Sequence, residues 1–146
     1  MGIDGRVLAL DWGVARIGMA ISDEAGSFAF PAGILACRGR ENDLDALVDL
    51  ISERSVRAVV VGLPVHMDGR RGDAARAAEE FANAIALRTG LPVAMLDERW
   101  TTREAERARR GSSRRRGRRR EAVDDAAATL LLRTWLERAA ADPDPA

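Results

Sequence analysis

The chain contains no lysine, so all 23 of its fixed side-chain positive charges are arginines. It has one cysteine, Cys37, and one histidine, His66. A lone cysteine excludes an intrachain disulfide, and with a single histidine there is no Cys/His cluster for a soft metal. Such cysteine usage suits a reducing compartment. No apolar run approaches the ~20 residues of a membrane span, and Met1 to Gly5 lacks the basic-then-apolar pattern of a secretory leader. The expected address is the cytoplasm, with no membrane partner.

What is present fits one folded unit. The chain has 146 residues, 47% of them hydrophobic and 32% charged, which is enough for a core and a solvated surface. A single domain is expected over residues 1–141, with 142–146 (DPDPA) as a frayed tail. The formal net charge is zero, but acids and arginines are segregated. Arginines crowd the stretch from Arg103 to Arg120, so a neutral total conceals one strongly basic segment.

Val7 to Leu10 is an apolar run that ends at Asp11 and reads as a buried strand. Trp12-Gly13 breaks it. Arg16–Ser22 and Phe28–Ala36 are two more apolar runs with short links, the pattern of an antiparallel meander. From Asn42 to Arg54, Leu44, Leu47, Val48 and Ile51 recur at helical spacing. Ala58–Leu63 (AVVVGL) is a β-branched run of the kind buried on both faces of a parallel sheet. A helix follows from Asp73 to Thr89, with Ala77, Phe81 and Ile85 on one face and Gly90 as its C-cap. Val93–Leu96 forms a fifth strand before Asp97-Glu98. Thr101-x-x-Glu104 matches a capping box, Gly111 to Gly117 interrupts that segment, and Glu121–Ala141 is the last helix. The order β-β-β-α-β-α-β-α predicts an α/β fold with a five-stranded mixed sheet, three antiparallel strands then two parallel ones, flanked by helices.

Three acids fall where chemistry would place them. Asp11 closes strand one, Glu98 follows strand five, and Asp124 lies early in the last helix. The carboxyl edge of parallel strands lines the crevice where sites form. A carboxylate at the end of an apolar run needs a cation or several donors. Convergent carboxylates without cysteine or histidine favour a hard cation such as Mg²⁺, with Mn²⁺ as the alternative. Each acid also has a structural use: Asp11 as a turn cap, Glu98 as a partner of Arg99, Asp124 as a helix cap. Asp124 and Asp125 are separable by register, because Ala127, Ala128 and Leu131 lie three, four and seven residues beyond Asp124 and share its face.

Four segments occur in order: Asp11-Trp12-Gly13-x-x-Arg16-Ile17-Gly18; Val61-Gly62-Leu63-Pro64-x-x-Met67-Asp68-Gly69; Asp97-Glu98-Arg99-x-Thr101-Thr102; and Val123-Asp124-x-x-Ala127-Ala128. Together they resemble the YqgF/RuvX family of pre-16S rRNA nucleases, with a Holliday-junction-resolvase-like fold, over about Val7 to Leu136. The resemblance implies an RNase H-like fold and cleavage of phosphodiester bonds at the 5′ end of pre-16S rRNA, in free precursor or within pre-ribosomes. It also implies Asp11, Glu98 and Asp124 as the catalytic, metal-binding acids. One departure stands out. Val14-Ala15 replaces a Thr-Lys common in the family, which removes a nearby cation and leaves the acids untouched.

The remaining polar candidates are contacts to phosphate. Arg16 either touches phosphate or makes a salt bridge on strand two, and Arg99 either binds phosphate bidentately or pairs with Asp97. Arg114, Arg115 and Arg116 open a run to Arg120 that reads as a loop or as an arm gripping phosphates. The Gly62–Gly69 loop is either a turn needing its glycines or a substrate-facing segment. Trp12 is either a core residue or a platform for a base. Cys37 reads as a small core filler rather than a nucleophile, and His66 as polar surface, or as a metal ligand or general base. The leading expectation is an Mg²⁺-dependent nuclease on ribosomal RNA precursor, as monomer or homodimer. The alternatives are a resolvase of DNA junctions, which requires a dimer, and a nucleic-acid-binding module that does not cut.

Overall fold

A computed structural model describes residues 5–13, 15–64, 72–98 and 119–141, with backbone alone for 119–125 and 141. Its eight elements are β1 (Arg6–Asp11), β2 (Arg16–Ser22), β3 (Ala29–Ala36), α1 (Arg40–Glu53), β4 (Val56–Leu63), α2 (Asp73–Thr89), β5 (Val93–Asp97) and α3 (Arg119–Ala141). The strands form one sheet in the order β3-β2-β1-β4-β5. β1 pairs antiparallel with β2, and β2 with β3. β1, β4 and β5 run parallel. The mixed sheet expected from the sequence is therefore present.

Strand alternation divides the core into two layers. Leu8 and Leu10 of β1 and Val59 and Val61 of β4 face one way and pack against Leu44, Leu47 and Ile51 of α1 and Phe81 and Ile85 of α2. Val7 and Ala9, with Ala58 and Val60, face the other way and pack with Ala128, Leu131 and Leu132 of α3. All four apolar residues of β1 are at most 1% exposed, so the strand that carries Asp11 is fixed on both faces. Central position and two-sided burial give a rigid platform for whatever stands at its end.

Several boundaries shift. α2 buries Ala75, Ala78, Phe81, Ala82 and Ile85. Ala77 is only half-buried, because the apolar stripe runs through 75, 78 and 82 and leaves it at the edge. Gly90 ends α2 in the left-handed region at φ 72°, its N–H donating to the Ala86 carbonyl, as a glycine C-cap does. α3 begins at Arg119, inside the arginine run read as loop. Arginine is a good helix former, so the helix that Glu121 was expected to open extends two residues further back. Among the described residues no helix is long and apolar enough to cross a membrane.

Candidate active site

The carboxyl ends of the three parallel strands lie side by side. Leu10 pairs with Val61, so Asp11 and Gly62 come next on adjacent strands. Gly62 in turn pairs with Leu96, two residues before Glu98. Ala9, Val60 and Leu96 all belong to the α3-facing layer. Two residues further along each strand stand Asp11, Gly62 and Glu98, which alternation brings to that same face. Asp97 falls on the opposite parity. The two acids read from the sequence thus converge with a glycine between them.

The Glu98 carboxyl hydrogen-bonds Asp11, and its pKa is pushed up to about 9. Burial is the main cause, followed by the Asp11 hydrogen bond and the negative charges of Asp11 and Asp97. Its Oε1 atom is buried with no hydrogen-bond partner among the described residues. At neutral pH Glu98 therefore keeps its proton, because burial and the neighbouring acids disfavour its charged form. A cation set against them would displace that proton and relieve the repulsion, so the residues present fit a hard divalent metal.

Gly62 makes room for this arrangement. A Cβ at position 62 would stand 2.6 Å from Glu98 Oε1 and 3.1 Å from its Cγ. The sequence placed Gly62 at the end of the Ala58–Leu63 strand and the start of a loop, without this use; its signal was a glycine interrupting a β-branched run, which denotes close approach by another group. Gly13 has a related use: a Cβ there would meet the Arg16 carbonyl oxygen at 2.7 Å, so the β1–β2 turn is tight.

Asp124 lies in α3 one turn before the fully buried Ala128. The side chains of Asp124 and Asp125 are outside the described residues. So are Arg99, Arg114, Arg115, Arg116, His66, the Thr101–Glu104 capping box and the tail 142–146. Among the described residues no group of three His, Cys, Asp or Glu side chains is placed to hold a metal. Arg16 opens β2, half-buried, at the same end of the sheet as Asp11.

Residues 5–138 match the family model described as RuvX, Holliday junction resolvase. The chain belongs to the RuvX family. A relative from Koribacter versatilis, named "Putative pre-16S rRNA nuclease", is 41% identical, covering 96% of this chain and 92% of its own. One of the same name from Anaeromyxobacter sp. is 42% identical, over 90% and 96% of the two chains. Among solved structures, T. thermophilus RuvC in complex with Holliday junction substrate superposes with a TM-score of 0.59 at 12% identity, covering 93% of this chain and 96% of that one. That likeness concerns the fold, and it agrees with the RNase H-like architecture expected for the family.

This RuvX-family chain also has a cleft behind the acid pair. Trp12 follows Asp11 and packs on the α1/α2 side of the sheet, tilted 45° against Phe81 at 6.4 Å between ring centroids. The Cys37 thiol lies 3.7 Å from the Gly13 carbonyl oxygen. Burial, and then the neighbouring Asp43 carboxylate, raise the pKa of that thiol. Asp43 is 6% exposed and accepts the Arg38 backbone N–H at 2.9 Å. Trp12, Cys37, Arg40, Asp43, Glu80 and Phe81 line a cavity of about 300 Å³. Core filler is thus half the story for Cys37, since one side of it faces this space.

Proposed function

We propose that the chain is a divalent-metal-dependent nuclease that hydrolyses phosphodiester bonds in pre-16S rRNA. The observation that carries this reading is the Asp11–Glu98 carboxyl pair at the end of the buried parallel strands. Oxygen-only donors suit Mg²⁺, and Asp11, Glu98 and Asp124 would hold it. When bound, such ions activate water and stabilise the leaving oxygen of an in-line phosphoryl displacement.

The chain's own residues do the positioning. Asp11 stands on a strand that cannot shift without disturbing both core layers. Glu98 is kept against it by the space at Gly62 and becomes a full anion only when positive charge arrives. Register supports Asp124 over Asp125. With 100° per residue, position 124 departs by about 30° from the centre of the Ala128–Leu131–Leu132 face, and position 125 by about 70°. Arg16, Arg99 and the arm containing Arg114, Arg115 and Arg116 would contact phosphates, which fixes the strand's position without selecting its sequence.

The family model's description and the RuvC likeness motivate a second reading, cleavage of four-way DNA junctions. Incubating a 16S precursor and a four-way DNA junction with wild type and Asp11→Asn in Mg²⁺ separates the two. Cleavage of the precursor, lost in Asp11→Asn, is the expected result. Equal activity of the variant would sink the mechanism, and cleavage of the junction alone would replace the RNA substrate with DNA.

A further inference from the structure

The cleft behind the Asp11–Gly13 turn has no part in the metal chemistry, yet it begins at the residue next to Asp11. We propose that it receives one unpaired base of the substrate strand, adjacent to the phosphate that a cation at Asp11 and Glu98 would hold. This deepens the nuclease reading and rests on it for the identity of the strand.

Size and lining select the occupant. About 300 Å³ admits a single heterocycle. The walls are aromatic and apolar, formed by the half-buried Trp12 and by Phe81, while Arg40 and Glu80 are exposed at the rim. A base requires such a combination, a face to stack on and polar groups for its edge. Asp43 and Glu80 are both carboxylates, which disfavours a small anion in the cleft but suits the amino and imino N–H groups of a neutral base. Asp43 is already engaged by the Arg38 N–H and the Cys37 thiol, so Glu80 is the available acceptor.

Position then links the cleft to the acid pair. Consecutive residues on a strand project to opposite faces. A strand draped over the tight turn would present phosphate to Asp11 on one side and drop the neighbouring base beside Trp12 on the other. Arg40 is the first residue of α1, and its exposed guanidinium has no ion pair among the described residues. It is the one cation among the described residues lining the cleft and shares the first turn of α1 with Glu41 and Asp43, so the guanidinium itself is the contact for the next phosphate. Taking a base out of its stack costs least where it is already unpaired, so the cleft would select single-stranded over paired substrate.

Cys37 provides a direct readout, because it is the only cysteine and lines the cleft. The full chain is incubated without metal with a short mixed-sequence RNA strand, or with a strand of the same length and charge lacking all bases. Alkylation of Cys37 is then timed at fixed pH. Saturating base-bearing strand should slow alkylation roughly tenfold, and the abasic strand should leave it unchanged. Trp12→Leu should weaken binding of the base-bearing strand by roughly fivefold or more, the lower end of one lost stacking contact, with the abasic strand unaffected. If that variant misfolds, the wild-type footprint alone decides. Equal protection by both strands, or by neither, overturns the proposal. Adding Mg²⁺ to the wild type separates the two ideas. Cleavage with Cys37 unprotected would remove the base site and leave the nuclease. Base-dependent protection with no cleavage of any strand would remove the nuclease and leave a base-binding cleft.

Discussion

Gly62 and Glu98 compete for the same space. The Cβ of any other residue at 62 would lie 2.6 Å from Glu98 Oε1, inside any real contact distance. The clash is with the end of a flexible side chain rather than with backbone, so the carboxyl group can rotate away while the strands stay paired. Gly62→Ala should therefore retain the fold and lose the site. We expect cleavage to fall at least tenfold with the melting temperature changed by only a few degrees. A rate assay and a thermal melt on one sample test this. Full activity in Gly62→Ala would mean that the seat of Glu98 is irrelevant to function.

Asp11→Asn should act in opposite directions on activity and stability. If Asp11 holds the metal as proposed, its loss forfeits several kcal/mol of transition-state stabilisation, roughly a hundredfold or more in rate. The same change removes a charge that presses on Glu98. The metal-free variant should then melt higher than metal-free wild type above about pH 9, where Glu98 is ionised. A lower melting temperature would show that Asp11 holds the turn together as a structural cap instead.

The raised Glu98 pKa makes a further statement about pH. Its ordinary value is 4.5 and its value in the fold about 9. Between those limits the folded chain holds a proton that the unfolded chain has released, so stability falls as pH rises. The contribution is full below about pH 4.5 and gone above about pH 9. Glu98→Gln keeps a neutral side chain throughout. Its melting temperature without metal should exceed wild type by a margin that widens from pH 5 to about pH 9. Mg²⁺ should reverse the order at high pH, because it stabilises the fold it binds. A constant margin across the range would place the buried proton elsewhere.

Much of this was legible in the chain. The β-branched residues Val59, Val60 and Val61 announced a strand buried on both faces, and the spacing of Leu44, Leu47 and Ile51 announced α1. Asp11 was legible because an acid closing the apolar run Val7–Leu10 has few structural excuses. The seat at Gly62 was not, since a glycine before Leu63-Pro64 serves a turn equally well; only pairing with β5 shows what approaches it. The cleft was less legible still. Trp12, Cys37 and Phe81 belong to three segments, and no local pattern joins them. Ala77 was misplaced for a related reason, as periodicity defines a stripe but not how far it turns.

The arginine run from Arg114 to Arg120 should report through salt. Replacing Arg114, Arg115 and Arg116 together by alanine would remove up to three of the proposed phosphate contacts. For a single strand each contact contributes roughly 0.7 to the slope of log K against log salt, so the slope should shrink by about 2. Affinity for RNA of any sequence should fall alike, because these contacts carry no base information. An unchanged slope would show that the run stays in solvent when nucleic acid binds.

Cys37 tests the electrostatics of the cleft independently of any substrate. Its thiol is raised by burial first and then by the charge and hydrogen bond of Asp43. The thiolate is the reactive form, so alkylation at pH 8 should be slow. Asp43→Asn removes the charge while keeping an oxygen that can accept the Arg38 N–H, so the α1 end should hold its shape. The thiol pKa should then fall and alkylation at pH 8 should quicken several-fold, whereas at a pH well above both pKa values the two proteins should react alike. Equal rates at pH 8 would assign the whole effect to burial. A gap that persists at high pH would instead indicate that the substitution had opened the cleft.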